Sequence, residues 1–248
     1  MDNLRTVYKK PESLTDTTFS YCPGCGHGTV HRIIAELMDE FKLREKAIAV
    51  APVGCAVFAY DFFNFDTTEA AHGRAPAVAA AIKRLNPDKF VLVYQGDGDL
   101  ASIGMAETVH TANRGENVTV IFINNVNYGM TGGQMAPTTL IDQVTTTSPA
   151  GRKAAEQGFP IKIPELLASL PGAKFLARVK VSDAGSVIRA KKVIKKAFEN
   201  QINGKGFSLV EVLCACPANW KMEPADAVKY VDTAMAQYFV PGIIKDEN

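Results

Sequence analysis

Two sets of residues in this chain have the types and spacing to do chemistry. The first is an acid and an amide. Asp97 lies in Gly96-Asp97-Gly98-Asp99, after the apolar run Val91-Leu92-Val93-Tyr94, and Asn124-Asn125 close a second apolar run over 118–123. If both runs are strands of an open α/β sheet, their carboxyl ends are where such sheets bind ligands. A carboxylate and a carboxamide are hard oxygen donors of the kind Mg²⁺ takes, and Mg²⁺ commonly arrives with a phosphorylated ligand. The glycines beside Asp97 let a diphosphate approach the backbone, and a helix predicted from about Leu100 turns its N-terminus toward it.

The second set is the cysteines. Cys22 and Cys25 form a Cys-x-x-Cys pair in a Pro-Gly turn, Cys55 sits in another glycine turn, and Cys214 and Cys216 lie far downstream. Met1-Asp2-Asn3-Leu4-Arg5 lacks the apolar core of a secretory leader, so the expected setting is cytoplasmic. Thiols there stay reduced and point to metal or redox chemistry. A thioredoxin-like dithiol needs only Cys22 and Cys25 and leaves the others unexplained. A structural zinc would use these thiolates, with His27 or His31 as further candidates. A [4Fe–4S] cluster needs four thiolates, which the fold must bring together. Spacing alone leaves cluster and zinc even.

The elements that must position these groups are legible from periodicity. Strands are predicted at Ala47–Ala51, 90–94, 118–123, 175–181 and Phe207–Leu213, and helices at 29–41, Ala75–Leu85, 100–114 and 186–201. Asp183 is the predicted N-cap of the last helix, with Gly204 just past its end. Near-continuous apolar strands alternating with helices predict an α/β fold, a doubly wound, mainly parallel sheet with helices on both faces. Nothing divides the 248 residues, so one domain over 1–248 is expected. Residues 135–164 are irregular, rich in threonine and broken by prolines, and read equally well as a lid, a partner surface or a plain excursion.

Composition is ordinary for a globular chain, with 47% apolar and 21% charged residues. A net charge of +1 without long Lys/Arg runs argues against nucleic acid. Lys191, Lys192, Lys195 and Lys196 read as a solvated helix face. The longest uncharged stretch, 47–60, is too short for a bilayer and contains Pro52 and Gly54.

A glycine-aspartate-glycine turn followed about thirty residues later by paired asparagines resembles the thiamine diphosphate (TPP) signature. A lone Gly-Asp-Gly would be an ordinary turn. With Tyr21-Cys22-Pro23-Gly24-Cys25-Gly26-His27 and Cys216-Pro217, the resemblance narrows to the TPP-binding (beta) subunit of 2-oxoacid:ferredoxin oxidoreductases. Ala51-Pro52-Val53-Gly54-Cys55, Ala71-His72-Gly73-Arg74-Ala75 and Asn127-Tyr128-Gly129-Met130-Thr131-Gly132-Gly133-Gln134 look most like the 2-oxoisovalerate (branched-chain) type.

The resemblance implies the diphosphate-binding half of a TPP fold, with a [4Fe–4S] cluster on Cys22, Cys25, Cys55 and Cys216. Cys214 falls outside that pattern and reads as packing on a strand. It implies Mg²⁺ on Asp97, Asn125 and the carbonyl of Asn127. Cofactor contacts are expected from Gly54, Cys55, His72, Gly73, Arg74, Gly96, Gly98, Asp99, Asn127, Tyr128, Gly129 and Thr131. The glutamate that activates the aminopyrimidine is expected on a separate alpha subunit, since Glu69 and Glu107 are candidates here by residue type alone. The activity implied is oxidative decarboxylation of a 2-oxoacid to acyl-CoA and CO₂, with coenzyme A as co-substrate and electrons leaving through the cluster to ferredoxin. Gamma and ferredoxin-like delta subunits complete the expected complex. Ala56-Val57-Phe58-Ala59-Tyr60 offers no cation for a second carboxylate and favours a branched-chain substrate over 2-oxoglutarate; pyruvate or an aryl-pyruvate is a further alternative. From another class, a zinc-stabilised, non-catalytic scaffold or regulatory subunit that binds a nucleotide through Asp97 does not explain Asp97, Asn125 and Cys55 together.

Overall fold

The computed structural model describes residues 8–247, so the expectation drawn from the first five residues lies outside them. Seven strands form one sheet, in the order β2-β1-β3-β4-β6-β5-β7. They are β1 Ala47–Ala51, β2 Asp66–Glu69, β3 Phe90–Gly96, β4 Thr119–Asn124, β5 Ala173–Lys180, β6 Phe207–Leu213 and β7 Gly242–Asp246. Every neighbouring pair is parallel except β5 with β7.

The central strands are apolar throughout because both faces are covered. On one face Leu92 and Tyr94 pack with Ile34 and Leu37 of the His27–Glu40 helix and Ile194 and Phe198 of the Ala184–Ile202 helix. On the other, Val91 and Val93 pack with Ala75 and Ala79 of the Ala75–Leu85 helix and Ala112 of the Met105–Asn113 helix. Each fully buried aliphatic or aromatic side chain is worth about 1.5–3 kcal/mol. A one-residue slip of β3 would exchange its two faces, so the register that aims Asp97 is strongly fixed. Asp183 caps the Ala184–Ile202 helix as expected, its Oδ1 accepting from Ser186 N at 2.8 Å, while Ser186 Oγ accepts from Asp183 N.

Three features escaped the sequence reading. β2 and β7 are edge strands whose polar or half-exposed residues make no apolar run. The helix expected over 100–114 is a π-helical turn, Asp99–Ile103, then a helix, Met105–Asn113, broken at Gly104. Short helices at Pro217–Trp220 and Pro224–Tyr230 follow the last cysteine, and the second leads into a core built on Val126 and Leu213. No helix among the described residues is long and apolar enough to cross a membrane.

Candidate cofactor and cluster site

β1, β3, β4 and β6 are neighbours in the sheet, and each delivers a candidate ligand from its carboxyl end. β1 leads to Gly54 and Cys55, β3 to Asp97, β4 to Asn125 and Asn127, and β6 to Cys216. A cavity of about 120 Å³ opens there. Its walls include Asp97 and Asn125 together with Gly54, Cys55, His72, Gly96, Gly98, Asp99, Asn127, Tyr128, Gly129 and Thr131. A Cβ on Gly98 would stand 2.3 Å from Cε1 of Tyr128, so only glycine lets that ring cover the turn.

Gly73 and Arg74 do not line the cavity. Gly73 has φ +77°, and a Cβ on it would come within 2.6 Å of Gly104 N, which ties the His72 loop to the π-helical turn. Arg74 pairs with Glu107 and donates to the Ile103 carbonyl. Asp99 is buried, accepting from Gly73 N at 2.9 Å and bonding His72 Nδ1 and Gln95 Nε2. It holds the His72 wall rather than offering free oxygens to a ligand. Glu69 is exposed at the end of β2, and neither it nor Glu107 reaches the cavity.

Asp97 is 2% exposed. One carboxylate oxygen accepts from Gly98 N at 2.8 Å and the other from Thr138 Oγ1 at 2.7 Å. Burial still pushes its carboxyl up to about 7, against the pull of Thr138 and the nearby main-chain N–H groups. The side-chain oxygen of Asn127, another residue of the cavity wall, is buried with no hydrogen-bond partner. A buried carboxylate with no cation beside it and an orphan side-chain amide oxygen in a glycine-rich wall fit a hard divalent cation carrying a diphosphate.

The turn bearing Asn125 and Asn127 is held in an unfavourable conformation. Val126, between them, has φ +55°, a region that costs a non-glycine residue about 1–3 kcal/mol. Asn124 Oδ1 accepts from Val126 N at 3.1 Å, and Thr139 Oγ1 donates to the Val126 carbonyl at 2.6 Å. Behind it, Asn124 Nδ2 donates to Glu211 at 2.6 Å; Glu211 also meets Arg178 Nε at 2.6 Å, and Arg178 forks onto Glu165. Trp220 Nε1 donates to the Asn125 carbonyl at 3.1 Å.

The cysteines surround an adjoining space. A cavity of about 270 Å³ is lined by Cys22, Cys25, Cys55 and Cys216. Cys214 is not among its walls; it is 1% exposed, and a Cβ on Gly26 would strike its sulfur at 2.6 Å. Burial pushes the Cys25 thiol up to about 12, partly offset by the main-chain N–H of His27, with the other three thiols adding to the rise. Burial and the neighbouring thiols raise Cys55 to about 11. Thiols crowded in this way ionise readily only around cations, which fits iron ligation. Among the described residues no three His, Cys, Asp or Glu side chains converge on one point for a metal ion. The four cysteines instead line one cavity. The two cavities share His27, Cys55, Asn125, Gly129 and Met130. A Cβ on Gly129 would lie 3.3 Å from Cys55 Sγ, 3.6 Å from Asn125 Nδ2 and 3.8 Å from Cys216 Sγ, so thiols and amide crowd the same side of one glycine.

Residues 135–164 prove to be a packed support. Arg152, 3% exposed, donates to six carbonyls, those of Ala136, Pro137, Thr139, Gln157, Gly158 and Phe159. This fixes Thr138 against Asp97 and Thr139 against Val126. Sequence reasoning missed Thr138, Arg152, Asn219 and Trp220; the threonine-rich tract was the one available signal. Asn219 Nδ2 donates to the Gly129 carbonyl at 2.6 Å and to Cys216 Sγ at 3.4 Å.

Comparison with known proteins agrees with this geometry. Residues 52–212 match the thiamine pyrophosphate enzyme, C-terminal TPP binding domain. The chain is 47% identical over 238 residues to the ketoisovalerate oxidoreductase subunit VorA of Methanothermobacter thermautotrophicus, covering 96% of this chain and 50% of that one. It is 36% identical to the 2-oxoglutarate synthase subunit KorB of Archaeoglobus fulgidus, covering 85% of this chain and 74% of the other. Among solved structures, the 2-oxoglutarate:ferredoxin oxidoreductase from Magnetococcus marinus, with 2-oxoglutarate, coenzyme A and succinyl-CoA bound, superposes with a TM-score of 0.79 at 28% identity, over 92% of this chain and 73% of that one. The chain spans about half the length of the VorA proteins it matches. A TPP domain built on four adjacent strand ends, with relatives of one kind along nearly the whole sequence, makes this chain a member of the TPP-binding subunit family of the 2-oxoacid:ferredoxin oxidoreductases.

Proposed function

We propose that the chain is the diphosphate-binding and cluster-bearing subunit of a CoA-dependent 2-oxoacid:ferredoxin oxidoreductase, and that it acts as one domain. The observation that carries this is Gly129, which walls both ligand cavities at a point where a Cβ would meet the Cys55 and Cys216 sulfurs and Asn125 Nδ2 together. Bound TPP would supply the carbanion that attacks a 2-oxo carbon and the electron sink for loss of CO₂. Asp97, Asn125 and the Asn127 carbonyl would hold Mg²⁺, and the glycines around Asp97 would admit the diphosphate. Cys22, Cys25, Cys55 and Cys216 would hold a [4Fe–4S] cluster. A cavity of about 270 Å³ lined by four cysteines has room for a cluster in which each thiolate takes a different iron, whereas zinc draws its ligands to one tetrahedral centre. Tyr128 and Met130 line the cofactor cavity and would help keep water from a bound cofactor.

The glutamate needed for the aminopyrimidine would come from an alpha subunit, and gamma and delta subunits with ferredoxin would receive the electrons. A cytoplasmic setting suits five unpaired cysteines. The substrate we favour is a branched-chain 2-oxoacid of the 2-oxoisovalerate type. Among the described residues no Lys or Arg lines the cofactor cavity, while Val53, Ala56 and Met130 do; Phe58 lines the cysteine cavity instead, and Tyr60 is exposed. The test is acyl-CoA formation by the co-purified complex. 2-Oxoisovalerate should be preferred over 2-oxoglutarate by kcat/KM, and the reverse order would refute the substrate assignment.

A further inference from the structure

His27 is the one titratable side chain outside the thiols that walls both cavities. It opens the His27–Glu40 helix two residues after Cys25, is 2% exposed, and lies flat on Tyr21 with ring centroids 4.8 Å apart and planes 12° from parallel. Its Nδ1 is 2.6 Å from the hydroxyl of Tyr94. Tyr94 is fully buried, and its hydroxyl has no other hydrogen-bond partner among the described residues. A buried hydroxyl keeps its proton paired, and Nδ1 is the only acceptor that Tyr94 can reach. Nδ1 must therefore carry no hydrogen, which leaves the ring proton on Nε2. Nε2 has no partner among the described residues, so an unpaired N–H donor remains on a ring that walls both cavities.

Resting on the cluster reading above, we infer that the His27 Nε2–H donates a hydrogen bond to the iron-sulfur cluster and sets its reduction potential. The cluster side is favoured over the diphosphate side by two contacts. The His27 main-chain N–H lies near enough to the Cys25 thiol to offset its upward shift, and the ring is stacked on Tyr21, which lines the cysteine cavity and not the other. A donor to cluster sulfur stabilises the more negative, reduced state and raises the potential. Tyr94 thus acts as a positioning residue, fixing the tautomer from the β3 side of the sheet.

The test uses the anaerobically purified complex and two amides that mimic opposite ring nitrogens. His27→Gln can place an N–H where Nε2 was; His27→Asn reaches only as far as Nδ1. With iron content equal to wild type, the cluster midpoint measured by potentiometric titration should fall in His27→Asn and stay near wild type in His27→Gln. An unchanged midpoint in both, or equal shifts in both, would overturn the inference. Should His27→Asn lose iron, wild-type complex made with histidine labelled with ¹⁵N only in the ring decides: the reduced cluster should show nitrogen hyperfine coupling, and its absence would overturn the proposal. A wild-type complex without iron would instead refute the cluster reading itself.

Discussion

Replacing Glu211 by glutamine should unsettle the cofactor turn from behind. Glu211 is fully buried, and its two oxygens accept from Asn124 Nδ2 and Arg178 Nε, each at 2.6 Å. Burial pushes its carboxyl above the ordinary value despite Arg178 beside it. An amide of the same shape must turn its NH₂ toward one of those two donors, so one buried hydrogen bond is lost and the charge pair is broken. Breaking a buried pair costs about 3–5 kcal/mol. Arg178 keeps its fork on Glu165, at 2.8 and 2.6 Å, which places the loss near the lower end, about 3 kcal/mol. At about 2–4 °C per kcal/mol for a chain of this size, Tm should fall by roughly 6–12 °C. The same change frees Asn124 to rotate away from Val126 N and lets the φ +55° turn relax, so the stabilisation gained on adding Mg²⁺ and TPP should shrink as well. Thermal unfolding followed by circular dichroism, with and without Mg²⁺ and TPP, reads both. Lys180→Ala, at the partly exposed Lys180–Asp232 pair, is the control and should cost under about 1 kcal/mol. A Glu211→Gln loss no larger than the control's, or a full cofactor response, would refute the reasoning.

Asp97→Asn should separate stability from binding. A carboxyl raised to about 7 makes the cation-free fold lose stability as pH rises from the unfolded value near 3.8 through 7, by up to about 4 kcal/mol; at pH 8 the cation-free variant should therefore unfold at a higher temperature than wild type, yet gain nothing from Mg²⁺ and TPP in a thermal-shift assay. Cys216→Ser should lower iron per chain in the anaerobically purified complex, whereas Cys214→Ser should retain iron and pay only for a buried hydroxyl, about 1–3 kcal/mol in unfolding experiments. His31 is buried and its pKa is held well below the usual value by burial, with His27 adding to it; the folded chain therefore binds fewer protons than the unfolded one below about pH 6.5, stability should fall as pH drops from there, and His31→Gln should flatten that acid limb of Tm against pH. Arg152→Ala should loosen the 135–164 segment and weaken TPP binding several-fold by calorimetry, because Thr138 and Thr139 lose their frame.

What the sequence disclosed and what it hid follow from where each signal lies. Central strands buried on both faces must be apolar along their length, so Ala47–Ala51 and Phe207–Leu213 were found to the residue. The same rule fails at a sheet edge, which is why Asp66–Glu69 and Gly242–Asp246 were missed. The candidate ligands stand out because Asp97 and Asn125 directly follow strands and four thiols have few other uses. Their supports are ordinary residues made special only by contact across many intervening residues, such as Thr138 to Asp97, Trp220 to Asn125 and Asn219 to Gly129. Arg74 shows the reverse error: adjacent in sequence to the His72 wall, it turns to Glu107. The strain at Val126 could not be read at all, since valine is the last residue type one would assign a positive φ.

The measurement that bears most directly on the shared site is metal and cofactor content of the anaerobically isolated complex, taken together with its reduced and oxidised spectra. About four irons and one TPP per copy of this chain, with visible absorption that bleaches on reduction, is the expected result. Stoichiometric zinc without iron, or iron with no TPP even after Mg²⁺ and TPP are supplied, would contradict it.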